Sequence, residues 1–307
     1  MILCFDGNHT AYRVMSNKAF PALTTKKGKT VGVIYGFLKI MTATINKFKP
    51  SRVVVCWDMG ASGFRKFLYP EYKANRHAAK TTEEEVDYAN YLAQMGELKT
   101  ILPYLGVEQY YGDHVEADDL IAEVCKYHLR WKEPYGNVVV VSGDKDFLQL
   151  LSDDYVSVYR PIEDELITAD NFASKYDGLT PKQFLHARVL IGDDSDNIRG
   201  VSGIGKVYGT ALIKEYKDIW GVCDAATFLA HSQKKYKGLV NDNGVIVRNM
   251  MLMDLKHSAS IIGPLEQYKH EAARDLEKAK RLLITLEFFS MLKGWQLFCS
   301  TYKELKQ

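Results

Sequence analysis

Asp6, Asp58, Asp144 and Asp146 each stand at or just past the end of a short apolar run, in MILCFDG (1–7), SRVVVCWD (51–58) and NVVVVSGDKD (137–146). Glu116, Asp118 and Asp119 crowd the start of VEADDLIAEVCKYHL (115–129), where Glu116 and Asp119, three apart, share one helix face. Asp193 and Asp196 repeat that spacing in LIGDDSDNIRGVSGIGKVYG (190–209). Singly, each acid has an ordinary explanation, since aspartate is common in turns and at helix N-caps. Nine of them gathered in one cleft would repel one another severely unless several held protons or divalent cations filled the site. Oxygen donors with no histidine or cysteine partner select Mg2+ or Mn2+ over zinc. Two such ions, about 3.5 to 4 Å apart, suit in-line displacement at a phosphodiester. Phosphoryl chemistry is the favoured use.

Two further stretches supply the opposite charge or none. Gly200, Gly203 and Gly205 fall between QFLHARVLI and KVYGTALIKEY, both helical in pattern. A glycine-rich hairpin there can aim backbone N–H groups and a helix N-terminus at a phosphate, without reading sequence. The plain alternative, a tight turn needing positive φ, weighs equally on spacing alone, and the adjacent Asp193 and Asp196 tip the balance. In FRKFLYPEYKANRHAAK (64–80), Pro70 suits a first helical turn, and Lys73, Arg76, His77 and Lys80 then form a basic stripe with Tyr72 beside it. Interleaved bases and aromatics suit single-stranded nucleic acid, although a solvated charged face is the commoner pattern. GKT at 28–30 is not a P-loop, because Leu23 stands where a glycine is required.

The elements that must position these groups read as α/β. The three apolar runs are buried strands of a mainly parallel central sheet, with helices at 32–48, from Thr82 (a capping box with Glu85) and at 115–129. Ligands of such a sheet bind at the carboxyl ends of its strands, where the acids lie. From about residue 180 strand signals fade and a mainly helical region follows. The division expected is 1–178 and 179–307.

Composition bounds the rest. The 307 residues are 47% hydrophobic and carry a net charge of +2; setting aside the nine acids leaves 29 against 40 bases, an excess of 11 positive charges elsewhere. A basic exterior around an acidic pit suits an enzyme acting on a polyanion. The five scattered cysteines form no Cys-x-x-Cys pair and read as reduced thiols. No run is long enough to cross a membrane, and Asp6 does not suit a signal-peptide core, so a cytoplasmic protein with no membrane partner is expected, by default a monomer.

The motifs FDG, YPEYKANR, VEADDLIA, SGDKDFLQLL, GDDSDNIRGVSGIG and RNMMLMDL (248–255), in this order, resemble those of the 5′-nuclease family: flap endonucleases, the 5′-3′ exonuclease domain of bacterial DNA polymerase I and the free-standing exonucleases of tailed phages. The resemblance implies that Asp6, Asp58, Glu116, Asp118, Asp119, Asp144, Asp146, Asp193 and Asp196 hold two or more Mg2+ (or Mn2+) ions. It implies a helical arch over about 65–105, with Lys73 and Arg76 near the scissile phosphate and Tyr72 stacking on the substrate. It also implies a helix-hairpin-helix element over about 184–216, in which Arg199, Gly200, Gly203, Gly205 and Lys206 grip duplex DNA and backbone carbonyls hold K+. The activity implied is removal of 5′ flaps and 5′-3′ digestion of duplex ends in replication and repair, extending to RNA–DNA hybrids, beside a polymerase acting in trans, in a host cytoplasm for a phage protein. Arg199 stands where relatives often have proline. Two alternatives stay open on the residues: a PIN-type ribonuclease, which needs no glycine hairpin, and a non-catalytic DNA-junction binder, which would not need all nine acids.

Overall fold

The computed structural model describes residues 1–16, 23–77, 82–131, 137–151, 155–229 and 236–306. Three hydrophobic runs form its centre: β1 (Ile2–Asp6), β2 (Arg52–Cys56) and, after the short β3 (Glu108–Tyr110), the tetravaline β4 (Val138–Val141). Strands buried on both faces need apolar residues at every position, which β-branched valine fills best. β5 (Val156–Arg160) and β6 (Glu165–Ile167) follow, then a two-residue hairpin of β7 (Gly192–Asp193) and β8 (Ile198–Arg199), and β9 (Lys269–His270). The main sheet has seven strands in the order β6-β5-β4-β1-β2-β3-β9, with β1 to β5 parallel and the edge strands β6 and β9 antiparallel.

Register decides where the chemistry lies. Asp6 pairs with Cys56 and Phe5 with Val141, so β1, β2 and β4 end level with one another. Asp6, the last residue of β1, and Asp58 and Asp144, just beyond β2 and β4, therefore emerge at one edge.

Side chains of a strand alternate between faces. Ile2 and Cys4 face one core with Val54, Cys56, Val138 and Val140, closed by Leu120, Ile121 and Val124 of the helix Ala117–Trp131. Leu3 and Phe5 face another, closed by Phe37, Leu38 and Met41 of the helix Gly32–Phe48. The expected helices at 32–48 and 82 onward are present as Gly32–Phe48 and Thr82–Ile101.

The later region is mainly helical, as read. Thr180 caps the helix Pro181–Ile191 through a capping box with Gln183, and the β7–β8 hairpin leads to the helix Lys206–Tyr216. It does not stand apart. Leu255 and Ala259, of the helix Leu255–Ile261, join the Leu120 core, while β9 returns to the sheet edge beside β3. Leu283, Phe298 and Tyr302, from the helices Leu276–Thr285 and Trp295–Lys303, complete the Phe37 core.

Candidate active site at the carboxyl edge of the sheet

Four acids gather where the central strands end. Asp6, buried, accepts from the His9 N–H at 2.9 Å and from Ser142 Oγ at 3.1 Å. Asp58 accepts from the Ala117 N–H at 2.7 Å, which ties β2 to the start of the helix bearing Asp118. The Asp144 N–H donates to Ser142 Oγ at 3.1 Å, and the Asp146 N–H to Asp144 Oδ1 at 2.9 Å. Burial, then Asp58, pushes the Asp6 carboxyl up to about 8, with Asp144 adding to the rise. Burial also drives Asp118 well above the carboxylate range against the pull of Lys73, with Asp144, Asp6 and Asp58 contributing. Asp58 rises through burial although the Ala117 N–H opposes it. These side chains feel one another's charge, and among the described residues no cation forms an ion pair with any of them.

The other five acids are paired. Lys73 Nζ lies 3.0 Å from Glu116 Oε1 and 3.9 Å from Asp196 Oδ2; Arg76 Nη2 lies 2.6 Å from Asp196 Oδ1. One Arg188 nitrogen meets Asp146 Oδ1 at 2.6 Å, as an ion pair out of hydrogen-bond alignment, and also bonds Asp193 Oδ2. Arg65 takes Asp119 and Glu116. Burial would raise Glu116, but Lys73 and Arg65 outweigh it and hold the group low. Burial lifts Asp146 to about 7 despite Arg188, and lifts Asp196 despite Lys73 and Arg76. For Asp193 the balance reverses, since Ser195 and Arg188 overcome burial. Among the described residues no three acids, histidines or cysteines are drawn tightly enough together to form a finished coordination shell. Protons and divalent cations are the expected ways of making nine acids tolerable; the chain adds a third, since four of its own cations neutralise five of them. The donor set left, all carboxylate oxygen, still fits hard divalent ions.

Two expectations for the basic segment need correction. The described residues 70–77 form no α-helix: the helix Gly63–Leu68 ends first, Lys73 has φ +55°, and a 3-10 turn covers Ala74–His77. Of the expected stripe, Lys73 and Arg76 are described, and they converge on the acids because the turn folds over them. Nor can Tyr72 stack on a substrate. Its ring is 2% exposed, and its hydroxyl donates to Glu116 Oε2 at 2.9 Å and Asp196 Oδ2 at 3.2 Å. The His77 side chain and Lys80 lie outside the described residues.

A cleft of about 800 Å3 is lined by Lys73, Arg76, Asp118, Asp144, Asp146, Asp193 and Asp196, and reaches Lys206 at the start of the helix after the glycine hairpin. The glycines serve different ends. A Cβ on Gly200 would lie 2.1 Å from the Ile191 carbonyl oxygen, so close packing excludes any side chain. Gly203 has φ +78° and open space around it, and Gly205, also open, is the N-cap of Lys206–Tyr216. Arg199 is exposed, while its carbonyl accepts from Arg248 at 2.9 Å and from the fully buried Asn249 at 3.0 Å.

Residues 1–177 match the family model described as the 5′-3′ exonuclease N-terminal resolvase-like domain, and residues 179–275 that of the 5′-3′ exonuclease C-terminal SAM fold. The chain belongs to the 5′-3′ exonuclease family. Among the curated relatives of this chain, thermostable DNA polymerase I of Thermus aquaticus is 34% identical over 300 residues, covering 96% of this chain and 33% of the polymerase. DNA polymerase I of Mycobacterium tuberculosis H37Rv is 33% identical over 257 residues, 83% of this chain and 27% of that protein. The chain spans about a quarter to a third of the length of the relatives it matches. In fold it is similar to T5 5′-exonuclease with bound zinc (TM-score 0.73, 23% identity, 92% of this chain and 98% of that one). It is also similar to the catalytic core of Rad2 in complex with DNA substrate (TM-score 0.55, 17% identity, 93% and 86%).

Several residues of the site escaped the sequence. Arg188 is the one arginine or lysine within the apolar stretch HARVLI, which is the available signal of a buried counter-ion, whereas Arg65 in FRKFL is followed by Lys66 and carries no such mark. Ser142 and Asn8, which bonds the Asp58 N–H at 3.0 Å, carry no such mark.

Proposed function

We propose that the chain is a divalent-metal-dependent nuclease that cuts DNA 5′ flaps and digests duplex ends 5′ to 3′. The observation that carries this reading is the group of Asp6, Asp58, Asp118 and Asp144, unpaired by any described cation, in which burial raises Asp6, Asp118 and Asp58 and neighbouring carboxylates push Asp6 and Asp118 further up. Carboxyls poised in this way exchange protons readily for a hard cation. These four, with Glu116, Asp146, Asp193 and Asp196, are the residues that would hold Mg2+ or Mn2+. Bound there, two such ions supply an activated water and a stabilised leaving oxygen.

The chain's own groups do the rest. Lys73 and Arg76, resting on Glu116 and Asp196, exchange a carboxylate for the phosphate as it enters and stabilise its developing charge. The N–H groups of Gly203, Gly205 and Lys206 hold the duplex backbone by shape, with K+ on the hairpin carbonyls as a further cation. The cleft supports this division, since its acids share it with Lys206, the first residue of the helix that follows the hairpin. The kinship with DNA polymerase I supports assigning it a role beside a polymerase in replication and repair.

Asp144→Asn and Asp196→Asn test the assignment. Each variant should lose cleavage of a 5′-flap duplex while keeping its affinity for the DNA; near-normal turnover by both would defeat it. DNA and RNA flaps of identical shape separate this reading from a ribonuclease.

A further inference from the structure

Arg65 is a guanidinium 2% exposed beneath the site, and every polar contact it makes is accounted for. Nη1 donates to Asp119 Oδ2 at 2.9 Å and to Glu116 Oε2 at 3.1 Å; Nη2 donates to Asp119 Oδ1 at 2.7 Å; Nε donates to the Leu252 carbonyl at 2.9 Å. Asp119, 1% exposed, thus gives one oxygen to each of the two terminal guanidinium nitrogens in a two-pronged pair. Glu116 is held differently: Oε2 is pinned by Arg65 and by the Tyr72 hydroxyl at 2.9 Å, while Oε1 meets Lys73 at 3.0 Å at the cleft.

Turning Asp119 toward a metal would leave Arg65 as a buried charge without its main partner, which is strongly destabilising. We infer that Asp119 is the counter-ion of Arg65 and not a metal ligand, and that the Arg65–Asp119 pair is a positioning device for Glu116. The Leu252 carbonyl, at the end of the helix Asn243–Met253, fixes the same guanidinium from the later region, so the orientation of Glu116 depends on how that region docks. This inference rests on reading Glu116 and Asp118 as metal-binding groups.

The test compares Asp119→Asn with Asp118→Asn by thermal unfolding without metal and by calorimetric titration with Mn2+. Asp119→Asn should lower the Tm while its Mn2+ affinity stays within about threefold of wild type; Asp118→Asn should keep or raise the Tm and weaken Mn2+ by about tenfold or more. Loss of Mn2+ binding by a stable Asp119→Asn protein would overturn the inference. The charge-free pair Arg65→Met with Asp119→Leu covers the case in which the single variant does not fold. In that background kcat should fall about tenfold with KM held, and adding Glu116→Gln should cost far less than it does in wild type. An undiminished cost would mean that Arg65 does not act through Glu116. A wild-type protein taking up no Mn2+ would instead sink the nuclease reading, and the Tm of Asp119→Asn would still decide whether Asp119 serves Arg65.

Discussion

The backbone N–H of Lys73 donates to the carbonyl of Asp196 at 2.9 Å, so the turn that carries the cleft's lysine is clamped to the hairpin that carries its last acid. The side chains repeat the link, with Lys73 Nζ between Glu116 at 3.0 Å and Asp196 at 3.9 Å. Lys73→Ala keeps the backbone clamp and removes only the charge. It should lower kcat by about 10²-fold with little change in KM, as for loss of a group acting on the transition state. Equal losses in affinity and rate would make Lys73 a simple phosphate clamp.

The raised carboxyls give metal binding a pH dependence of definite sign. Asp6 at about 8 and Asp146 at about 7 bind more protons in the fold than in the unfolded chain, whose carboxyls titrate near 3.8. Their contribution to metal-free stability is therefore complete below that range and is lost as pH climbs through about 7 to 8. A divalent ion displaces those protons, so the rise in Tm on adding Mg2+ should grow steadily from pH 5.5 to pH 8.5. A pH-independent increment, read by calorimetry with proton release, would contradict the shifts.

Arg188 should compete with a cation at Asp146 and Asp193, both of which it touches. Arg188→Gln should tighten the weaker Mn2+ equivalent by about tenfold, or ~1.4 kcal/mol, while lowering the metal-free Tm. Titration of the variant with Mn2+ checks this, and an unchanged affinity would separate Arg188 from metal uptake.

The glycines of the hairpin divide into packing and gripping residues. Gly200→Ala places a methyl 2.1 Å from a carbonyl oxygen and should cost about 2 to 3 kcal/mol in urea unfolding. Gly205, at φ −92° with open space around it, should accept alanine at almost no cost in stability. If its backbone approaches a phosphate, Gly205→Ala should nevertheless weaken duplex binding several-fold, as measured by fluorescence anisotropy. Unchanged binding would leave Gly205 as a turn residue only.

Much of this arrangement was legible because it depends on local pattern. Unbroken valine runs can only be doubly buried strands, and parallel strands in register bring whatever follows them to one edge, so Asp6, Asp58 and Asp144 were placed by their neighbours alone. The turn at Lys73 was not legible, since nothing in PEYKANR signals a left-handed lysine; the Asp196 carbonyl, over a hundred residues away, holds it there. The same distance hid the burial of Tyr72. Strands β3, β6 and β9, of two or three residues, are too short to show a period, and β9 forms only because the chain returns to the edge of β3. The partition of the acids into paired and unpaired depends on Arg65 and Arg188, whose partners lie on other elements.

The most direct test of the account is cleavage of a 5′-end-labelled flap duplex by the wild-type protein in Mg2+ and in EDTA. The account predicts short labelled products released at or near the junction in Mg2+ and none in EDTA. Equal cleavage in both, or none with Mg2+ present and DNA bound, would contradict it.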